Sequence, residues 1–151
     1  MHHEEVSASC LFCEIASGRV PAAVVFESGR FLAFLDHRPL FPGHCLLIPR
    51  EHYQTLPDLP VSDIGPLFTV AARLCSAIEE SLDSAGTFVA INNRISQSVP
   101  HLHVHIVPRR QKDGLRGFFW PRQKYQNDTE MENIRDQIQR AMQRLYSPRT
   151  T

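Results

Sequence analysis

Net charge is what this sequence has least of: its sixteen Lys and Arg residues are balanced by sixteen Asp and Glu. A chain without a field of one sign offers no general attraction to DNA, RNA or anionic lipid. No apolar run is long enough to cross a bilayer. The opening Met1-His2-His3-Glu4-Glu5 lacks the basic-then-apolar order of a secretory signal. Neither an internal repeat nor a low-complexity tract is found in the 151 residues. Together these absences point to a cytoplasmic protein of one domain, with no membrane and no nucleic-acid partner. Cysteine is scarce too. In a reducing compartment its four cysteines argue for buried thiols or metal ligands rather than disulfides. A hydrophobic content of 42% is enough to build a core without such staples.

What is present reads as α+β. Leu11 to Ala16 is a short helical turn ended by Gly18. Val24 to Phe26 and Phe31 to Leu35 are β-prone runs joined by Glu27-Ser28-Gly29-Arg30, a hairpin. Cys45 to Pro49 is a third strand, set off by Pro42-Gly43. Leu67, Ala71, Leu74, Ile78 and Leu82 recur every three or four residues, the apolar stripe of a helix starting near Ser62 or Asp63. Thr87 to Ile91 and His101 to Val107 are the fourth and fifth strands. A last helix, about residues 129–146, is signalled by the capping-box pattern Thr129-Glu130-Met131-Glu132 and a stripe of Met131, Ile134, Ile138, Ala141 and Leu145. Hairpins and short meanders favour an antiparallel five-stranded sheet with one central and one C-terminal helix.

Of the eight histidines, three stand in strict alternation in His101-Leu102-His103-Val104-His105. Strand side chains alternate faces, so the histidines form a row about 7 Å apart while Leu102, Val104 and Ile106 anchor the other side. Three imidazoles are a poor choice for packing, because each brings two nitrogens that need partners when buried. A catalytic metal site and nucleophilic acid–base chemistry both fit such a row.

Cys10-Leu11-Phe12-Cys13 bears on that choice. The pair neither follows a strand nor opens a long helix, which argues against a redox motif. Two thiolates need two more ligands, and His52 and His101 are the candidates. The set Cys10, Cys13, His52 and His101 would make a closed tetrahedral zinc site, structural because no position is left for water. His103 and His105 then remain for catalysis. Cys45 and Cys75 lie in apolar surroundings and read as packing residues.

The ordered set resembles the histidine triad (HIT) family, whose His-φ-His-φ-His-φ-φ signature is matched at every position from His101 to Val107. Phe34-Leu35-Asp36, Pro42-Gly43-His44 and Leu47 to His52 are similar to the family's nucleotide-binding half. Asn92 and Gln97-Ser98 are similar to its phosphate-contacting stretch. The likeness covers a core of about residues 10–110 and favours the bacterial zinc-containing branch. It implies a homodimer with a continuous sheet, one zinc per chain, and a nucleotide substrate cleaved at its α-phosphate. By position it implies His103 as the nucleophile and His105 as the contact to phosphate or bridging atom. Gln97 and Ser98 would donate to phosphate oxygens, Asn92 would lie on the phosphate side, Asp36 would hold the ribose, and Phe12 and Ile15 would form the base slot. One departure stands out. Ser96 occupies the place where a glycine commonly precedes the glutamine.

The stretch 108–126 carries Arg109, Arg110, Lys112, Arg116, Arg122 and Lys124 against one acid, with Phe118-Phe119-Trp120-Pro121 in its middle. A basic lip of that kind suits a long polyphosphate leaving group, which favours dinucleoside polyphosphates. The alternatives are an adenosine 5′-phosphoramidase-type hydrolase and a zinc-stabilised nucleotide-binding module with little turnover.

Overall fold

Phe31-Leu32-Ala33-Phe34 and Cys45-Leu46-Leu47-Ile48-Pro49 are apolar at every position, and a strand of that kind must be covered on both faces. The structure, a computed structural model describing residues 10–116 and 121–146, shows how this is met. Strands β1 (Val24–Glu27), β2 (Phe31–Leu35), β3 (Cys45–Pro49), β4 (Gly86–Ile91) and β5 (Val104–Arg109) form one sheet in the order β1-β2-β3-β5-β4. Every neighbouring pair is antiparallel. Helix α1 (Leu11–Ala16) precedes the sheet, and helix α2 (Val61–Leu82) makes the crossover from β3 to β4.

One face of the sheet presents Phe31, Ala33, Cys45, Leu47, Val104 and Ile106 to the α2 stripe of Leu67, Ala71, Leu74 and Ile78. The other face carries Leu32, Phe34, Leu46 and Ile48, covered by Cys10, Phe12 and Cys13 from the N-terminal segment. Helix α2 is long and apolar enough, by length and composition alone, to cross a membrane. Its stripe is instead buried on the sheet, as in a core helix. Cys45 is buried in that core and Cys75 packs against it.

Gly43 leads into β3 with φ +99°, a conformation that side chains rarely adopt. A Cβ there would also displace the tip of the Leu82 side chain at the end of α2 and crowd Pro108, but it is the positive φ that calls for glycine.

Some boundaries differ from the sequence expectation. Helix α2 begins at Val61 after Pro60, with no side-chain cap, and the Asp63 carboxylate is held instead by Arg30 at 2.6 Å. The expected strand from His101 enters the ladder only at Val104. Its first amides are diverted: His101 N–H donates to the Val99 carbonyl and Leu102 N–H to that of Tyr53. A 3-10 turn at Leu56–Asp58, closed by Thr55 and Asp58, was not expected.

The chain divides into two compact units, Met1–Asp113 and Gly114–Thr151. In the second, helix α3 spans Asp128–Tyr146. Its cap is Asn127, whose Oδ1 accepts the Glu130 N–H at 2.8 Å, two residues before the expected Thr129. The Glu130 carboxylate reaches back past the cap to the Gln126 N–H, so the reciprocal capping box expected at Thr129 is not formed. Phe118, Phe119 and Trp120, the expected aromatic anchor, lie outside the described residues.

Candidate active site

Alternation survives although the ladder starts late. Leu102, Val104 and Ile106 are in the α2-side core, and His105, paired with Leu46 and Ala90, is on the opposite face. His101 and His103 continue that row and are almost fully buried, at 0% and 3% exposure. Burial of imidazoles demands an accounting of their nitrogens.

For His103 the account is half complete by design. Its Nδ1–H donates to the His101 carbonyl at 2.7 Å, which leaves Nε2 with a lone pair. Burial lowers its pKa, opposed by the His101 hydrogen bond and by Asp36. The ring is therefore neutral at pH 7, as an attacking nitrogen must be.

His105 is fixed by a chain of hydrogen bonds that starts at the backbone. The Leu40 N–H donates to His44 Nδ1 at 3.1 Å. His44, neutral because burial lowers its pKa, must then carry its proton on Nε2. That nitrogen lies 3.0 Å from His105 Nδ1 and donates to it. His105 is left with its proton on Nε2, a buried donor with no partner among the described residues. Burial, then the neighbouring His103 and His44, push its pKa down to about 4. The His103 and His105 rings are 4.9 Å apart between centroids. One Nε2 is a lone pair and the next is a donor.

His44 appeared in the sequence only as part of Pro42-Gly43-His44, with no role. The signal that could have found it was a lone polar side chain placed just before a fully apolar strand. Asp36 Oδ2 lies 3.9 Å from His44 Nε2, so Asp36, His44 and His105 have metal-like proximity. The Leu40 N–H on Nδ1 argues for the hydrogen-bond chain instead, since a metal on Nε2 would force a proton onto the occupied nitrogen.

The second cluster is different in kind. Cys10 Sγ is 3.4 Å from His101 Nδ1, and Cys13 Sγ is 3.5 Å from the same atom and 3.4 Å from His52 Nδ1. Tetrahedral zinc with ordinary bond lengths places sulfur and nitrogen ligands about 3.6 Å apart. The donor set fits. His101 Nε2–H donates to the Pro49 carbonyl at 2.8 Å, the second hydrogen bond that orients a ligating imidazole. Burial and the neighbouring Cys10 push the Cys13 thiol up to about 12 in the absence of a cation. A bound zinc ion would replace thiol protons and act as a closed structural clip on the N-terminal segment.

The remaining expected residues divide. Asp36 is both a turn residue and a neighbour of the row: its Oδ1 accepts the Arg38 N–H at 2.9 Å while Oδ2 faces His44. Phe12 is buried and Ile15 half-buried, both packed in the second core. The Gln97 amide is engaged within the protein, accepting from Arg94 N–H and donating to the Gln54 carbonyl at 2.6 Å. Asn92 Nδ2 donates to the Ser96 carbonyl at 3.3 Å. Ser98 is exposed and borders a cleft of about 370 Å³ with Cys10, His52 and Gln54.

The family model described as the HIT domain matches residues 17–112. The chain is 33% identical over 120 residues to the adenosine 5′-monophosphoramidase of Saccharomyces cerevisiae, covering 79% of this chain and 74% of that protein. A HIT family protein from Bacillus subtilis superposes with a TM-score of 0.79 at 32% identity, covering 87% of this chain and 96% of that one. A Zn-bound histidine triad family protein from Mycobacterium smegmatis superposes with a TM-score of 0.69 at 35% identity, covering 89% and 99%.

Proposed function

The chain belongs to the HIT domain family, and on that premise we propose that it cleaves nucleoside 5′-phosphate derivatives at the α-phosphorus through a nucleotidyl intermediate on His103. The observation that carries this reading is the pairing of a bare His103 Nε2 with an unpartnered His105 Nε2–H on adjacent buried rings. Attack by the His103 lone pair forms the nitrogen–phosphorus bond as the bond to the leaving group breaks. The His105 Nε2–H donates a hydrogen bond to the bridging atom as negative charge builds there, and the leaving group takes its proton from solvent. In the second half, water displaces His103 from phosphorus and loses its proton to solvent, and the nucleoside monophosphate departs. His44 keeps His105 in the required tautomer throughout. Cys10, Cys13, His52 and His101 would hold a zinc ion as a structural tie, and none of these steps runs through it.

The leaving group is read from the basic stretch. Arg109 is held by Asp113 at 2.6 Å and Arg110 by the Leu82 carbonyl, so two of its cations are already engaged. This favours a small leaving group, of the phosphoramidate type, over the polyphosphate of a dinucleoside substrate. The yeast relative is named for that smaller chemistry. The same reading includes a homodimer joined along β4, which among the described residues pairs with β5 alone and leaves Val89 42% exposed.

The test is to incubate the protein and His103→Ala with adenosine 5′-phosphoramidate and, separately, diadenosine tetraphosphate. AMP from the wild type alone, with an AMP adduct on His103 in quenched samples, is the expected result. Binding without products from either substrate would move the protein to the non-catalytic nucleotide-binding class.

A further inference from the structure

Phe12 stands between the two cysteines in sequence and against two histidines in space. Its ring meets His103 edge-on, with centroids 5.0 Å apart at 85°, and His101 at 5.9 Å and 75°. Phe34 backs it at 5.5 Å. Only 5% of the Phe12 surface is exposed, so most of its ring is spent on contacts within the protein, that with the attacking imidazole among them.

The helix that carries Phe12 has six residues, too few to hold its own shape. What holds it is its flanks. Cys10 precedes α1 and Cys13 lies in its first turn, and their sulfurs converge with His52 and His101. The Phe12 backbone is thereby flanked on both sides by residues of the cluster, and Phe34 backs its ring. On its other side the His103 ring is held by the His101 carbonyl, and His101 is itself a member of the cluster. Both grips on the nucleophile thus come from residues of one clip.

We propose that Phe12 is a positioning residue for His103, and that metal closure of Cys10, Cys13, His52 and His101 seats its ring against the imidazole. The inference rests on His103 being the nucleophile. The ring contact removes the space into which the imidazole would rotate, so that the carbonyl keeps Nδ1 and Nε2 keeps facing the site.

The test compares zinc-loaded wild type, Phe12→Leu and Phe12→Ala, with Leu74→Ala as a core control on the α2 side of the sheet. Zinc content is measured for each, and selectively ¹⁵N-labelled histidine reports the tautomer of His103. Wild type is expected to show one His103 species protonated at Nδ1. Both Phe12 variants are expected to retain zinc yet show averaged or doubled His103 signals, and chelation of wild type should give the same change. Turnover of adenosine 5′-phosphoramidate should fall by about tenfold to a hundredfold in kcat, with KM within about twofold.

Unchanged His103 signals in Phe12→Leu would overturn the proposal, and so would an equal disturbance in Leu74→Ala. If Phe12→Ala does not fold, Phe12→Leu decides. Because the resonances need no substrate, failure of wild type to turn over nucleotide would strike the functional reading and leave this result standing.

Discussion

His44 Nε2 and His105 Nδ1 are 3.0 Å apart, and the proton between them belongs to His44 because the Leu40 amide occupies its other nitrogen. A backbone amide thereby dictates, two imidazoles away, which atom of His105 carries a proton. Neither ring is charged, since burial lowers both pKa values. Orientation of a neutral hydrogen-bond donor is achieved here without a carboxylate partner of the kind that fixes many catalytic histidines.

Replacing His44 with phenylalanine keeps a buried ring and removes the proton donor. His105 Nδ1 then has no reason to be the acceptor, and the tautomer that points Nε2–H at the leaving atom is no longer favoured. Loss of a donor aimed at developing charge costs up to about a hundredfold. It should fall unevenly. Amidates with poor leaving groups should suffer most, and AMP esters of acidic phenols least. Rates measured across such a series should give a steeper dependence on leaving-group pKa than wild type. A parallel drop across the series would remove His105 as the donor to the leaving atom.

The zinc clip makes its own prediction. Elemental analysis should give one zinc per chain, and Cys10→Ala should lose it or bind it much more weakly. Each thiol must shed its proton to ligate, and the Cys13 thiol is pushed up to about 12 without a cation. Proton release on binding means that affinity rises with pH. Calorimetric titration in buffers of different ionisation enthalpy would count the protons released. A fully folded, metal-free wild type would sink the claim.

Much of this was legible in the residues because period and chemistry agreed. The row His101, His103, His105 was read by alternation, and alternation survives even where β-pairing does not, since extended backbone is enough to keep it. Apolar runs at Phe31–Leu35 and Cys45–Pro49 located β2 and β3 to the residue. What stayed hidden depends on loop conformation and on contacts distant in sequence. No residue pattern says that the turn will bring the Leu40 amide to His44 four residues on, or that Gln97 will spend its amide on the Gln54 carbonyl. The base-slot role of Phe12 comes from the family resemblance alone; its edge-on contact with His103 is visible only in the fold.

Acid should destabilise the fold through His44 and His105. Both have folded-state pKa values below the ordinary 6.5, and that of His105 is about 4. Above 6.5 both are neutral in either state and contribute no pH dependence. As pH falls below 6.5 the unfolded chain takes up protons that the folded protein refuses, so stability drops by up to about 1.4 kcal/mol per pH unit for each site. For His105 the drop levels off near pH 4, where the folded form also protonates. Denaturant midpoints between pH 7 and 4.5, for wild type and His105→Asn, should show a shallower slope in the variant. Equal slopes would mean that His105 is not held neutral.

Ser96 offers a test of the loop that leads to Ser98. It adopts φ +61° and its neighbour Arg94 φ +71°, so two non-glycine residues of one short loop are left-handed. The conformation is maintained from outside: Asn93 Oδ1 accepts the Leu56 N–H at 2.9 Å, Asn92 reaches the Ser96 carbonyl, and Gln97 bonds both Arg94 and Gln54. A left-handed L-residue costs about 1–2 kcal/mol, whereas glycine there costs only the extra entropy of its unfolded chain, about 0.5–1 kcal/mol. The two nearly cancel, so Ser96→Gly should be as stable as wild type or slightly more so. Ser96→Val has no such relief, because branching at Cβ makes a positive φ worse, and it should lose about 1–3 kcal/mol. The discriminating measurement is the difference between the two variants in denaturant midpoint at unchanged m-value. If valine and glycine prove equally stable, the loop in solution is not left-handed at Ser96, and the hydrogen bonds from Asn92 and Gln97 are not what hold it.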